Sequence, residues 1–145
     1  MKFEKVSYYE GDVILPTRAD RGSAGYDFYL CEDITLNPGQ TILVPTNIKA
    51  QLDEDKVLLL YIRSSIGIKK KIILSNNTGV IDSTYYNNED NEGNICCALY
   101  NYGTEVQVLR KGDRIMQGVI VQYHIIENDH PLSNKRTGGI GSSGK

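Results

Sequence analysis

The sequence predicts a single all-β domain, and three observations support this prediction. Residues with β-branched or aromatic side chains cluster in short runs separated by Gly, Pro, Asn and Asp. No long segment shows the apolar period of an amphipathic helix. The chain has 145 residues, which is the usual size of one domain and enough to bury an apolar core without disulfides or metal. Several short strands with regular turn signals favour a sandwich, jelly roll or barrel.

The strands are predicted in order along the chain, with turns at residues 37–39, 53–55 and 111–113. The run 57–62 is wholly apolar or aromatic, which predicts a central strand buried on both faces. Apolar and polar residues alternate over 121–125, as expected for a strand with one wetter face. The predicted strands are residues 3–9, 40–51, 57–62, 72–74, 94–102, 104–109 and 114–126.

Composition limits the classes of partner. A formal net charge of -2 argues against a protein that coats nucleic acid, because phosphate-backbone binding requires a clearly basic face. The longest apolar stretch, 57–62, is too short to span a bilayer, and no signal peptide is recognisable. The cysteines Cys31, Cys96 and Cys97 are odd in number, which fits a reduced compartment. We therefore expect a soluble cytoplasmic protein with no nucleic-acid or membrane partner.

Two polar segments depart from the strand pattern. Residues 86–93 are acidic and rich in Asn, which predicts a solvated hairpin tip between two strands. Residues 133–145 carry little apolar mass, which predicts a mobile C-terminal arm. A frayed terminus is the default interpretation of this arm. Its glycines, serines and Arg136 nevertheless have the composition of a phosphate clamp.

A second phosphate-binding candidate follows the strand at 57–62. Arg63 is followed by Ser64 and Ser65, either of which could cap a short helical turn. Free backbone amides at the start of such a turn suit a phosphate. An ordinary capped turn is the alternative for this segment taken alone.

A carboxylate, an amide and a ring lie close together further along the chain. Asp82 ends a short apolar segment that begins at Gly79, so it could act as a general base on water or simply form a turn. The side-chain amide of Asn76 offers the donor and acceptor that uracil requires. Tyr85 could stack beneath a sugar and exclude a 2′-hydroxyl. Together these residues predict a nucleotide site built for hydrolysis.

In order and spacing, the segments resemble the five motifs of the trimeric dUTPase family, of the bacterial or phage type. The resemblance covers essentially the whole chain, and five ordered motifs are far more specific than any one of them. The matching segments are Ala24-Gly25-Tyr26-Asp27, Arg63-Ser64-Ser65, residues 76–85, residues 112–117, and Arg136 with residues 138–144.

The resemblance implies a distorted jelly roll, or β-prism, and Mg²⁺-dependent hydrolysis of dUTP to dUMP and pyrophosphate, a step of nucleotide metabolism that keeps uracil out of DNA. Asp82 would activate a water that attacks the α-phosphate, and Tyr85 would reject ribonucleotides. Asp27 would contact Mg²⁺ through water. The implied substrate-binding residues are Arg63, Ser64, Ser65, Asn76, Gly79, Val80, Ile81, Tyr85, Cys96, Gln117, Arg136, Ile140, Gly141, Ser142 and Ser143.

The resemblance also implies a homotrimer whose subunits share each active site. Residues 1–132 would form the β domain, and residues 133–145 would form an arm that closes a neighbouring active site. The fifth motif usually carries an aromatic residue that stacks on uracil, but this chain has Ile140 there. Either another aromatic, Tyr86 or Tyr85, substitutes for it, or the base is covered less tightly.

Two alternatives to a dUTPase remain. A dCTP deaminase shares the fold and an Arg-Ser-Ser segment, but it needs a glutamate where this chain has Ala98, so proton transfer at C4 lacks its acid and base. A regulatory protein whose nucleotide-bound form engages a protein partner is the other alternative. The acidic segment 86–93 would be the surface to test for that role.

Overall fold

Eleven β-strands lie in the part of the chain that the structure describes, residues 1–131 and 138–140 of this computed structural model. The short alternating runs of β-branched and aromatic residues form them, as predicted. They are β1 (Lys2–Lys5), β2 (Tyr26–Tyr29), β3 (Ile34–Leu36), β4 (Thr41–Pro45), β5 (Ile48–Gln51), β6 (Lys56–Ile62), β7 (Ile72–Leu74), β8 (Gly79–Asp82), β9 (Cys96–Asn101), β10 (Gln107–Leu109) and β11 (Arg114–Gln122).

Two antiparallel sheets form the body of the domain. One has the strand order β2-β11-β6-β8 and the other β4-β9-β7, while β1 pairs with β5 and β3 with β10. Side chains from both sheets belong to one apolar core, which includes Phe28, Leu58, Leu99 and Met116. The sheets therefore pack face to face, and the inward residue of each alternating pair supplies the core.

The predicted turns are confirmed. Gly39 and Gly112 have φ angles of 75° and 84° in the first and last of them, which only glycine adopts without strain. In the middle turn, Lys56 donates its backbone N–H to Asp53 at 3.0 Å. Each turn connects two strands that are consecutive along the chain but belong to different sheets.

Several strand predictions were wrong at their boundaries. The predicted strand 40–51 is broken between β4 and β5, where Asn47 takes a φ of 58°. Strands β2 and β3 were missed, because β2 carries a charged residue in a run of only four and β3 has only three residues. Strand β1 ends at Lys5 and β11 at Gln122, earlier than the patterns indicated.

The prediction that β6 is buried on both faces was also wrong for the single chain. Leu58 and Leu60 are buried, but Leu59 is half-buried and Tyr61 is 37% exposed. The continuous apolar run reflects a second face that this chain does not cover by itself. Residues 122–126, which begin at the last residue of β11, are all exposed, so the expected alternation between a buried and an exposed face does not extend there.

Helical structure in the described residues is limited to a π-helical turn, Ser65–Lys69, and a 3-10 turn, Ser83–Tyr85. Within residues 1–131 and 138–140, no helix has the length and apolar character needed to cross a membrane.

Candidate active site

A cavity of about 270 Å³ opens between the two sheets. Strands β4, β6, β8 and β9 each contribute to its wall, and Ile140 approaches from the C-terminal segment. Many of the residues that the sequence assigned to the base and sugar meet here. The lining residues are Leu43, Leu60, Asn76, Gly79, Val80, Ile81, Tyr85, Cys96, Ala98 and Ile140.

Gly79 allows β8 to lie close to β6 at this cavity. It pairs with Leu60 in the antiparallel ladder, and a Cβ at position 79 would approach the Leu60 side chain to 2.9 Å. Such a contact would push the strands apart, so glycine is required for the close approach. The main chain that follows, through Val80 and Ile81, is thereby brought to the cavity wall.

Tyr85 is held in place by its hydroxyl and by its backbone. The side chain is buried, with 4% of its surface exposed. Its hydroxyl donates to the carbonyl of Asn94 at 3.0 Å and accepts a hydrogen bond from Asn91 Nδ2 at 2.9 Å. Asn88 Nδ2 donates to the Tyr85 carbonyl at 2.8 Å. A ring fixed in this way can discriminate between sugars by shape, because it cannot move aside.

Asp82 both shapes the turn and presents its carboxylate. Its Oδ1 accepts the backbone N–H of Thr84 at 3.0 Å and the Thr84 hydroxyl at 2.6 Å, which makes Asp82 the N-cap of the 3-10 turn that carries Tyr85. The two interpretations of Asp82 are therefore compatible. The turn-forming role orients the carboxylate, as a general base requires.

A second cavity, of about 450 Å³, adjoins Asp82 on the other side of β8. Its wall is formed by the outer face of the four-stranded sheet and by the 3-10 turn. The lining residues are Val57, Leu59, Val80, Asp82, Ser83, Thr84 and Tyr123. Apolar side chains dominate this surface, and Val80 is 62% exposed.

The predicted phosphate and metal residues form a separate group around Asp27. Asp27 is 6% exposed, and its two oxygens form ion pairs with Arg63 Nε at 3.0 Å and with an Arg114 terminal nitrogen at 3.1 Å. Gln117 pairs with Asp27 across β11 and β2. A Cβ at Gly25 would lie 2.5 Å from Gln117 Oε1, so the glycine leaves the space that this side chain fills. The first and fourth motifs thus meet at one place.

Ser64 and Ser65 are exposed at the start of the π-helical turn. The prediction that a serine side chain caps this turn was wrong for Ser64, which occupies the N-cap position without making that hydrogen bond. The backbone amides of Ile66 and Gly67 are instead satisfied by the carbonyl of Arg63, at 3.0 and 2.9 Å. Both serines directly follow Arg63 in the chain.

The structure brings the base and sugar residues together in one cavity and the phosphate residues together in another group. The lining of the 270 Å³ cavity includes none of Asp27, Arg63 and Gln117. A nucleotide has its base, sugar and phosphates connected in series, so one complete site requires both kinds of surface side by side. Of the remaining site predictions, Arg136, Gly141, Ser142 and Ser143 lie outside the described residues.

The prediction that residues 86–93 form a solvated tip is confirmed for Asn87, Glu89 and Asp90, which are exposed, but was wrong for the rest of the segment. Asn88 is buried, and Glu92 forms an ion pair with Lys49 at 2.5 Å and accepts hydrogen bonds from Ser7. The Lys49 ammonium and the Ser7 donors lower the pKa of Glu92 to about 2. Asn88 can be buried because its side-chain amide makes hydrogen bonds within the loop and to the Tyr85 carbonyl.

Tyr86 does not replace the missing aromatic at the cavity. Its hydroxyl donates to Glu4, and the Lys49 ammonium lies 5.1 Å from its ring centroid. Ile140 itself lines the cavity and is 66% exposed. Of the two tyrosines considered from the sequence, only Tyr85 contributes to the cavity wall.

Sequence reasoning missed three residues that support the site. Arg114 donates a hydrogen bond to Asp27 next to a register shift between Arg114 and Met116. It was missed because such an irregularity in the ladder does not alter the apolar pattern of the sequence. Thr84 and Asn91 were also missed. A hydroxyl two residues after Asp82 was the available signal for Thr84.

The described residues contain no group of three or more His, Cys, Asp or Glu side chains that could hold a metal ion. Asp27 is the carboxylate that the sequence assigned to Mg²⁺. Its Oδ2 accepts an N–H of Arg114, and its Oδ1 forms an ion pair with Arg63. A carboxylate oxygen has two lone pairs, so each oxygen can accept a further hydrogen bond. This arrangement fits an ion that keeps its waters and takes its remaining ligands from substrate phosphates.

Comparison with known proteins identifies the family of this chain. The dUTPase family model matches residues 12–144. The deoxyuridine 5′-triphosphate nucleotidohydrolase of Lactococcus lactis subsp. lactis is 41% identical over 144 residues, which cover 98% of this chain and 96% of that protein. The corresponding protein of Hahella chejuensis is 37% identical, with 92% of this chain and 88% of that protein covered.

Solved structures confirm the predicted jelly-roll fold. A crystal structure of a dUTPase from Streptococcus mutans matches with a TM-score of 0.82 and 38% identity, covering 88% of this chain and 99% of that one. The Staphylococcus bacteriophage 80alpha dUTPase matches with a TM-score of 0.75 at 22% identity, over 91% of this chain and 96% of that one, and it is a likeness of fold alone. On the family match, the identities and the shared fold, this chain belongs to the dUTPase family.

Proposed function

We propose that this protein hydrolyses dUTP to dUMP and pyrophosphate, and so keeps uracil out of DNA. The observation that carries the proposal is the 270 Å³ cavity, in which Asn76, Tyr85 and Cys96 meet. Asp82 follows Ile81 of this cavity on the same strand. The relatives named above as deoxyuridine 5′-triphosphate nucleotidohydrolases cover nearly the whole chain.

The cavity suits a deoxyuridine. The amide of Asn76 can donate to a carbonyl oxygen and accept from the N3–H of uracil, and the backbone of Val80 and Ile81 lies beside it. Tyr85, which is buried, is proposed to close the space where a ribose would carry its 2′-hydroxyl. A site that is built tightly around a sugar rejects a larger one because an extra oxygen has no room and no partner.

In the proposed reaction, Asp82 removes a proton from a water molecule as the water oxygen attacks the α-phosphorus. The bond between the α-phosphorus and the bridging oxygen to the β-phosphorus breaks, and pyrophosphate leaves with that oxygen. Hydrogen bonds from Thr84 keep the carboxylate oriented for this step. Positioning of water and substrate supplies most of the catalytic effect in phosphoryl transfer.

Arg63, Ser64, Ser65 and Gln117 are proposed to bind the phosphates, and Asp27 to contact Mg²⁺ through water. Arg63 contacts Asp27 through Nε, and its terminal nitrogens are proposed to bind phosphate oxygens. Bound Mg²⁺ supplies charge neutralisation of the triphosphate. The protein residues hold the substrate in line with Asp82.

The working form is proposed to be a homotrimer. The supporting observation is the apolar outer face of the four-stranded sheet, with Val80, Tyr61, Leu59 and Tyr123 partly exposed. Contiguous exposed apolar surface of this kind marks an interface. Assembly would also place the phosphate group of one chain beside the base cavity of another, as one complete site requires.

Residues 133–145 are proposed to form an arm that closes a neighbouring active site. In the single chain, Ile140 lies at the cavity of its own chain. Every copy presents the same cavity, so the same contacts are available after exchange between identical subunits. The protein is proposed to work in the cytoplasm, where the free thiols Cys31, Cys96 and Cys97 are stable.

The experiment is an assay of the purified protein with dUTP, UTP, dCTP and dTTP in the presence of Mg²⁺. Pyrophosphate and ammonia are measured separately. We expect pyrophosphate from dUTP and little from the other nucleotides. Ammonia from dCTP would overturn the proposal in favour of a deaminase, against which Ala98 in the cavity wall already argues.

A further inference from the structure

The loop 86–93 has a well-defined backbone conformation for which the proposed hydrolysis gives no reason. Asn87, Glu92 and Gly93 have φ angles of 54°, 58° and 84°, a region that residues other than glycine enter at some cost. A Cβ at Gly93 would lie 2.7 Å from the Tyr85 carbonyl oxygen. The loop therefore follows one specific path along the residue that lines the sugar side of the cavity.

Polar contacts fix the loop along its length. Asn88 Oδ1 accepts the backbone N–H groups of Asp90 and Asn91 at 3.1 and 3.2 Å, and its Nδ2 donates to the Tyr85 carbonyl. The ion pair between Glu92 and the buried Lys49 anchors the far end. An exposed loop that is tied down at both ends can serve as a support for another segment.

Asp90 connects the loop 86–93 to the C-terminal segment. Its Oδ2 accepts the backbone N–H of Gly139 at 2.7 Å, across a sequence separation of 49 residues. Gly138 and Gly139 are buried. A Cβ at Gly139 would meet Asp90 Cβ and Asn91 Nδ2 at 3.5 Å, so the segment lies in contact with the loop.

We propose that Asp90 is a positioning residue that holds the C-terminal segment at the nucleotide cavity. Ile140, which directly follows Gly139, lines the cavity, so the bond to Gly139 sets where Ile140 meets the base. The same loop reaches the sugar side, since Asn91 Nδ2 donates to the Tyr85 hydroxyl. The loop thus links the residue beneath the sugar to the residue over the base.

The bond is a charge-assisted one from a backbone amide to a carboxylate, which is stronger than a neutral hydrogen bond. The acceptor, Asp90, belongs to the segment 86–93, which would bind a protein partner if the protein had the regulatory role considered above. Here Asp90 and Glu92 are both engaged within the chain. This inference rests on one part of the proposed function, namely that the nucleotide binds in the 270 Å³ cavity.

The test compares Asp90→Ala with Glu89→Ala in the full-length protein. Glu89 is the exposed neighbour of Asp90, so its substitution removes the same charge from the same loop. Asp90→Asn keeps an oxygen that can accept the Gly139 N–H. Limited trypsin digestion without nucleotide reports on the segment directly, because Lys135 and Arg136 lie close to Gly139 in the sequence.

We expect Asp90→Ala to be cleaved at residues 135–136 about tenfold faster than the parent, the size expected for losing a hydrogen bond to a charged group. Its unfolding temperature should be unchanged, and its KM for dUTP should rise more than its kcat falls. Glu89→Ala should match the parent, and Asp90→Asn should recover most of the loss. Equal cleavage of parent and Asp90→Ala, or an equal effect of Glu89→Ala, overturns the proposal.

The digestion needs no substrate, so its result is independent of the activity. A parent protein that fails to hydrolyse dUTP would refute the proposed function and leave the cleavage comparison valid. Normal hydrolysis with unchanged cleavage of Asp90→Ala would refute the positioning role alone.

Discussion

The hydroxyl of Thr84 donates a 2.6 Å hydrogen bond to Asp82 Oδ1, the same oxygen that accepts the Thr84 backbone N–H. One residue thus makes both contacts, and the orientation of the carboxylate is tied to the 3-10 turn Ser83–Tyr85. The proposed base and the residue proposed to select the sugar belong to one local structure. This relationship leads to the first three predictions.

Asp82→Asn should reduce turnover of dUTP by about 10²-fold or more, because an amide cannot accept the proton of the attacking water. The amide oxygen can still accept from Thr84, so folding and nucleotide binding should persist. Pyrophosphate release and binding of a non-hydrolysable analogue measure the two effects. Near-normal turnover would show that Asp82 is not the base.

Thr84→Val should lower kcat by about tenfold with little change in KM, because it removes the hydroxyl from Asp82 and leaves the backbone cap in place. A hydrogen bond to a charged group contributes about 1.5–3 kcal/mol. Thr84→Ser keeps the hydroxyl and serves as the control. A serine variant as impaired as the valine variant would contradict the orienting role.

Tyr85→Ala should reduce the preference for dUTP over UTP, measured as the ratio of kcat/KM for the two nucleotides. The ring is proposed to occupy the space that a 2′-hydroxyl would need, and alanine would open that space. Tyr85→Phe keeps the ring and loses the bonds to Asn94 and Asn91. It should retain the preference but unfold at a lower temperature. An unchanged preference in Tyr85→Ala would assign sugar selection to other residues.

Glu92→Gln should lower the unfolding temperature at pH 7, with a gap to the parent that narrows in acid. The pKa of Glu92 falls from an ordinary 4.5 to about 2 in the folded state. Its stabilising contribution is therefore fully present above about pH 4.5 and is lost as the pH falls toward 2. Thermal unfolding of both proteins across this range checks the sign. Glu89→Gln is the control, and a gap that is constant with pH would contradict the role of the ion pair with Lys49.

Removal of residues 134–145 should leave an assembled trimer with poor turnover, because the deleted arm is proposed to close the site rather than to hold subunits together. Sedimentation measures assembly, and steady-state hydrolysis of dUTP measures closure. Dissociation into single chains would mean that the arm is chiefly structural.

The residues that the sequence assigned to the base and sugar lie in ordered motifs. Asn76, Gly79, Ile81, Tyr85 and Cys96 all line one cavity, as the resemblance implied. Short spacing along the chain constrains where such residues can lie, because β8 and the turn that follows are continuous. The all-β class was equally accessible, since it depends on strand periodicity and turn residues.

Features that depend on pairing between distant segments could not be predicted. The ladder irregularity that brings Arg114 to Asp27 depends on how β11 meets β2. The loop 86–93 was misjudged because polarity was equated with exposure, whereas Glu92 finds Lys49 and Ser7 from other parts of the chain. Buried polar groups are satisfied by partners that a linear pattern does not identify.

The group around Asp27 has a consequence for capture of the substrate from solution. Two arginines and one aspartate leave a local excess of one positive charge, in a chain whose formal net charge is -2. If this group binds the triphosphate as proposed, it attracts the nucleotide only over short distances, because salt screens such a field beyond roughly 8–10 Å. Added salt should slow productive encounters with the nucleotide only modestly, so the rate of encounter is set mainly by diffusion and orientation rather than by long-range steering.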